Sequence, residues 1–221
     1  MPQESGARVP KSRKPRADVF LNVPYDKPFH KLCLAYISGI SAFGLVPRAT
    51  LEIPANTRRL DRILNLIAGC QYSVHDLSRV ELDAKRPPTP RFNMPFELGL
   101  CVAWARTSTE THTWFVCESK AWRVSKSLSD LDGTDAYIHL GTAAGVFREL
   151  CNAFVGADRK PTVQQMQRIN RDVAKNLPTI LKQAGTNSIY TARAFKDICV
   201  VASASADKNV PKPVARKRAK R

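Results

Sequence analysis

The sequence predicts an α/β protein: a five-stranded parallel sheet with helices on both faces, followed by a helical C-terminal appendage. Three observations carry this expectation. Along 18–157, short β-branched and aromatic runs alternate with segments of helical periodicity on short connections, the pattern of a parallel sheet covered on both sides. Hydrophobic residues make up 43% of the 221, enough for a sizeable core. After Gly156 the alternation stops, and two long stretches of helical character follow.

DVFLN (18–22) is a short buried-strand pattern, and VPYDKP after it is a turn with two prolines. Phe29, Leu32, Tyr36 and Ile40 then supply one face of a helix over 28–43, with Gly44 as its stop. LVPRATLE (45–52) is the second strand, and its internal Pro47 suggests an edge position or a late start. Thr57 is the expected N-cap of the next helix, in which Leu60, Ile63, Leu64 and Ile67 fall at i, i+3, i+4 and i+7. QYSVHDLS (71–78) is the third strand, and a loop rich in proline and charge leads from it to RFNMPFELGLCVAWAR (91–106). That stretch has helical character, with Asn93 as a natural N-cap and Pro95 in the first turn.

HTWFVCE (112–118) and AYIHL (136–140) are strands four and five, and a helix over 142–154 closes the unit on Val146, Phe147, Leu150 and Phe154. Thr162 and Gln165 form a T-x-x-Q capping box for a long helix striped by Val163, Met166, Ile169, Val173 and Leu177. Pro178 is expected to kink it. A last helix is expected around 188–203, although ICVVASA also fits a strand. The expected organisation is a basic disordered arm (1–17), the α/β domain (18–157), a helical appendage (158–205) and a basic disordered tail (206–221). The appendage docks on the α/β unit or on another subunit.

The formal charge of +16 is unevenly spread. Residues 1–16 carry five Lys/Arg against one acid, residues 17–157 fifteen against fourteen, and residues 158–221 fifteen against four. The middle is nearly neutral, so dedicated nucleic-acid recognition by the folded part is not expected, whereas the basic tail can hold polyanions non-specifically. No apolar run approaches the roughly 18 residues of a membrane span, and the first residues lack the apolar core of a secretory signal. The six scattered cysteines show no CxxC spacing, which fits reduced core residues of a cytoplasmic protein. His30, His75, His112 and His139 have no metal-ligand spacing, so no metal is expected; there is also no Walker loop and no GxGxxG.

An open parallel sheet binds ligands beyond the carboxyl ends of its strands. There the chain places Asn22, Pro24, Tyr25 and Asp26 after strand one, Arg48 on strand two, and Asp76 and Ser78 at the end of strand three. Asn93 and Glu97 open the following helix. Each admits a plainer role: Asn22 and Asp26 as turn residues, Asp76 and Ser78 as caps, Asn93 as an N-cap, Glu97 as a partner of the helix dipole. Glu97 stands out because it shares a face with Cys101 and Trp104, and the neighbouring stripes (Leu98, Val102, Ala105; Phe96, Leu100, Ala103) are apolar. A carboxylate walled in this way is desolvated, which raises its pKa against the helix dipole.

VFLNVPYDKPFHK, VHDLS and NMPFELGLCVAWAR together resemble the nucleoside 2-deoxyribosyltransferase-like group, which shares a flavodoxin-like fold and a helix glutamate with the NAD-cleaving Toll/interleukin-1 receptor (TIR) domains. The resemblance covers about 18–155. It implies cleavage of an N-glycosidic bond in NAD or a nucleotide, as glycohydrolase or ribosyltransferase. Glu97 would act on the anomeric carbon, Asp76 would assist at the sugar, and Asn22, Pro24, Tyr25, Asp26, Arg48, Ser78 and Asn93 would line the substrate. The interval before Glu97 reads DAKRPPTPRFN where the transferases carry Asp-Gly-Thr, which favours the TIR-like branch. No cofactor is implied beyond NAD or nucleotide as substrate, and a homo-oligomer is expected. Two other readings are a catalytically silent, TIR-like nucleotide-sensing or self-assembly module, and a nucleic-acid-associated protein using its basic tail.

Overall fold

A computed structural model of the chain describes residues 17–52, 58–82, 86–131 and 133–212. Five strands, β1 (Asp18–Asn22), β2 (Val46–Arg48), β3 (Tyr72–Asp76), β4 (Thr113–Glu118) and β5 (Tyr137–Ile138), form one all-parallel sheet in the order β2-β1-β3-β4-β5. That is the flavodoxin-like strand order, and its switch point lies between β1 and β3.

Strand alternation decides which face each residue serves. Val19 and Leu21 of β1 and Val74 of β3 pack with α1 (His30–Ala42) and α5 (Ala143–Ala153). Phe20 faces the other way, against Ile63, Leu66 and Ile67 of α2 (Arg59–Gly69) and Cys101 of α3 (Asn93–Thr107). From Cys33 to Ala42 every residue of α1 is buried, because a further layer covers its outer side. That layer is α6 (Val163–Ala184) and α7 (Ala192–Asn209), whose Met166, Ile169, Val173, Phe195, Ile198 and Ala202 join the α1 core. The appendage therefore docks on its own α/β unit, and its apolar stripe is consumed there.

Several boundaries differ from expectation for local reasons. Only 46–48 of the expected 45–52 strand pairs with β1; Thr50–Glu52 folds into a 3-10 turn closed by Glu52, which accepts from the Ala49 amide at 3.0 Å. The first helix is preceded by a 3-10 turn (Lys27–Phe29) that Asp26 caps. β5 is two residues long, and α4 (Arg123–Ser127) is a short helix between β4 and β5. α3 is capped by Phe92 without a side-chain bond, so Asn93 is its first helical residue and not its N-cap. The capping box of Thr162 and Gln165 is present in both halves, and α6 continues through Pro178 to a left-handed Gly185. α7 is a helix, not a strand, and runs to Asn209 with Ala206 and Val210 buried, so the tail does not begin at 206.

The predicted cap Thr57, the arm at 1–16 and the tail at 213–221 lie outside the described residues. All six cysteines are free thiols, four of them buried. Among the described residues no helix is long and apolar enough to cross a membrane.

Candidate functional site

Glu97 sits on the first turns of α3 beside the carboxyl ends of β1 and β3, and it is 4% exposed. It borders a cleft of roughly 110 Å³ lined also by Asn22, Val23, Tyr25, Thr50, Arg59, Arg91, Asn93 and Met94. Leu98 and Cys101, buried on the same side of α3, back the carboxylate with apolar surface. Burial pushes its pKa up to about 7, and only the Arg59 guanidinium, 4.0 Å away and largely exposed, opposes the shift. The group is thus a desolvated carboxyl poised near neutrality, loosely held and facing open space.

The rim is cationic. Arg59 opens α2 and Arg91 stands just before the Phe92 cap of α3, so both reach the crevice from helix starts. Asp26 steers Arg91: its Oδ2 accepts from Arg91 at 2.7 Å and from Arg79 at 3.3 Å, while its Oδ1 accepts from the Phe29 amide at 2.9 Å. Tyr25 pairs with Thr50 at 3.3 Å, and burial raises its hydroxyl well above the ordinary tyrosine range. Tyr190, from the α6–α7 connection, donates to the Asp26 carbonyl oxygen at 2.9 Å and packs on Tyr25 with ring centroids 5.4 Å apart. The C-terminal helices thereby brace the first-strand turn.

Of the predicted site residues, Asn22, Tyr25, Asn93 and Glu97 share this cleft. Asp76 does not. It is fully enclosed, with Oδ2 accepting from Tyr36 Oη at 2.7 Å and from His139 Nε2 at 3.0 Å, and Oδ1 accepting from the Ser78 amide at 2.8 Å. The Gly141 amide donates to His139 Nδ1 at 3.1 Å, so the ring proton sits on Nε2 and points at Asp76 and at Ser78 Oγ, 3.0 Å away. Asp76 and Ser78 thus tie β3 to α1 and to the turn after β5, and neither lines the cleft beside Glu97.

Strand alternation explains this. Asp76 shares the α1 face with Val74, whereas His75 shares the α3 face with Ser73, and Asn22 shares it with Phe20. The same period of two was legible in VHDLS and would have selected His75 over Asp76.

Pro24 is buried under the turn and Asp26 acts through Arg91. Arg48 pairs with Asp18 at 2.6 Å and Glu52 at 3.0 Å, at the sheet edge. It borders a larger hollow of roughly 610 Å³ between β2 and α7, with Lys196 and Cys199 among its walls. That hollow is open and lies at the sheet edge, away from Glu97, so the smaller cleft is the better chemical candidate. Arg123 clamps Glu118 at 2.6 Å and the Ser78 carbonyl at 2.7 Å, locking the ends of β3 and β4. Among the described residues no three His, Cys, Asp or Glu side chains converge as a metal ion would require. No protein-family model, curated protein or solved structure matches the chain.

Proposed function

We propose that the chain cleaves the N-glycosidic bond of NAD or another nucleotide, with Glu97 meeting the anomeric carbon. The observation that carries this reading is a nearly buried carboxylate, apolar on its inner side, facing a cleft with two arginines at its rim. A carboxylate with little competing solvent is suited to attack a ribosyl carbon or to stabilise its oxocarbenium-like state. Arg59 and Arg91 provide the positive charge that a nucleotide phosphate needs. Leu60 and Leu64 of α2 and Phe96 of α3 are exposed apolar side chains that a second copy would cover, in keeping with a homo-oligomer.

The test is chromatographic detection of released base from NAD and a panel of nucleotides, across a protein concentration series that captures activity dependent on association. Wild type releases base, and Glu97→Gln lowers turnover by on the order of 10³-fold or more. Equal turnover in the variant, or no release by the wild type at any concentration, leaves the cleft as a binding module instead.

A further inference from the structure

The cleft contains an asparagine whose amide orientation is decided by its neighbours. Asn22 Nδ2 lies 3.2 Å from the Met94 carbonyl oxygen and 3.0 Å from His75 Nδ1. A carbonyl only accepts, so the end of the amide facing Met94 is its NH₂ group. The second hydrogen goes to His75 Nδ1, which must then be the bare ring nitrogen. Burial drives His75 down to about 3, with His112 adding a smaller push, so the ring stays neutral and keeps that acceptor at physiological pH. Its proton is left on Nε2, which is buried without a hydrogen-bond partner. Such an orphan N–H is destabilising, and what the fold obtains for it is a fixed acceptor behind Asn22.

With both Nδ2 hydrogens committed inward, the group Asn22 offers the cleft is Oδ1, an acceptor. On a ribosyl ring the 2′-hydroxyl is on the carbon next to the anomeric one. An acceptor beside a carboxylate that meets the anomeric carbon lies within reach of that hydroxyl, and a 2-deoxy sugar has no hydrogen to give it. We infer that the cleft selects ribosyl over 2-deoxyribosyl ligands, Asn22 Oδ1 accepting from the 2′-hydroxyl and His75 positioning Asn22. The inference rests on the reading of this cleft as a nucleotide site.

Calorimetric binding of AMP and of 2′-deoxy-AMP to the full-length chain tests it. Wild type binds AMP tighter by about tenfold or more, the effect of one well-placed hydrogen bond left unmade in the deoxy ligand. Asn22→Leu and His75→Leu bring the ratio close to one. His75→Asn keeps an acceptor near the place of Nδ1 and retains most of the preference, which a merely space-filling role for His75 would not produce. Should His75→Leu fail to fold, Asn22→Leu carries the same comparison.

Equal affinities in the wild type, a preference that survives in Asn22→Leu, or binding of neither nucleotide overturns the inference. The reaction itself fails separately: selective AMP binding with no base release from any nucleotide removes the chemistry and leaves the sugar selectivity standing. Equal kcat/KM for ribosyl and 2-deoxyribosyl substrates does the reverse.

Discussion

Glu97 and His75 are buried titratable groups on the same side of the sheet, and they link stability to pH with opposite signs. Glu97 has its folded pKa raised from 4.5 to about 7, so between those values the folded state holds a proton that the unfolded state has released. Stability therefore falls as pH rises through that window, by roughly 3 kcal/mol for a shift of this size. His75 is depressed from 6.5 to about 3, so it takes up its proton first in the unfolded state, and stability falls as pH drops through that range. The expected outcome for Glu97→Gln is a chain as stable as the wild type near pH 4 and more stable by up to about 3 kcal/mol near pH 8, read by urea denaturation. For the proposed base release the same ionisation has a different readout: kcat/KM of the wild type is expected to rise with pH through a midpoint near 7, the carboxylate being the form that would meet the anomeric carbon. A stability difference between wild type and variant that does not change with pH would mean the carboxyl is ordinary, and Glu97 would lose its standing as a desolvated group.

Close approach between elements is tight where α5 meets the turn after β5. Gly145 on α5 sits so near the turn after β5 that a Cβ there would lie 1.9 Å from the His139 carbonyl oxygen and 2.9 Å from Thr142 Oγ1. His139 is the residue that holds Asp76, so this contact joins α5 to the buried network behind the sheet. Gly145→Ala is expected to cost about 3 kcal/mol and to lower Tm by roughly 6–12 °C, since backbone and not a pliable side chain must yield. Gly99, mid-helix in α3, has nothing within 4 Å of its added Cβ, so Gly99→Ala gains about 0.5–1 kcal/mol from helix propensity. A Gly145→Ala chain that melts like the wild type would mean that α5 packs loosely on the turn after β5.

Elements of this kind were largely legible, because apolar periodicity is a strong signal over ten or more residues. Their ends were not: Glu52 folding back on the Ala49 amide turns an apparent strand into a 3-10 turn, and side-chain capping of that sort has no periodic trace. The cleft was half legible for a related reason. Strand ends pointed to Asn22 and Tyr25, but Arg59 and Arg91 lie at helix starts whose convergence depends on the assembled topology.

Across the whole molecule the basic excess and the candidate chemistry are separate. The cleft is built from 22–97, in the nearly neutral part of the chain, and the connection between the C-terminal helices braces it through Tyr190, which packs on Tyr25 and donates to the Asp26 carbonyl. α7 must be kept whole, since Ala206 and Val210 are buried against the α1 layer, so any test of the basic tail has to cut after Lys212. Removing 213–221 takes away Arg216, Lys217, Arg218, Lys220 and Arg221 and leaves α7 whole. If those five cations contact phosphates, each contributes about 0.9 to the slope of log affinity against log salt on duplex DNA. The expected outcome is therefore a salt slope shallower by about four to five in the shortened chain, measured by fluorescence anisotropy on an unrelated duplex. Any base release proposed for Glu97 is expected to stay within about twofold of the full chain, because the cleft is lined by residues 22–97 and long-range charge acts on it mainly through screened fields. An unchanged slope would move polyanion binding onto α6 and α7, and a collapse of base release on cutting after Lys212 would make the tail part of the catalytic assembly.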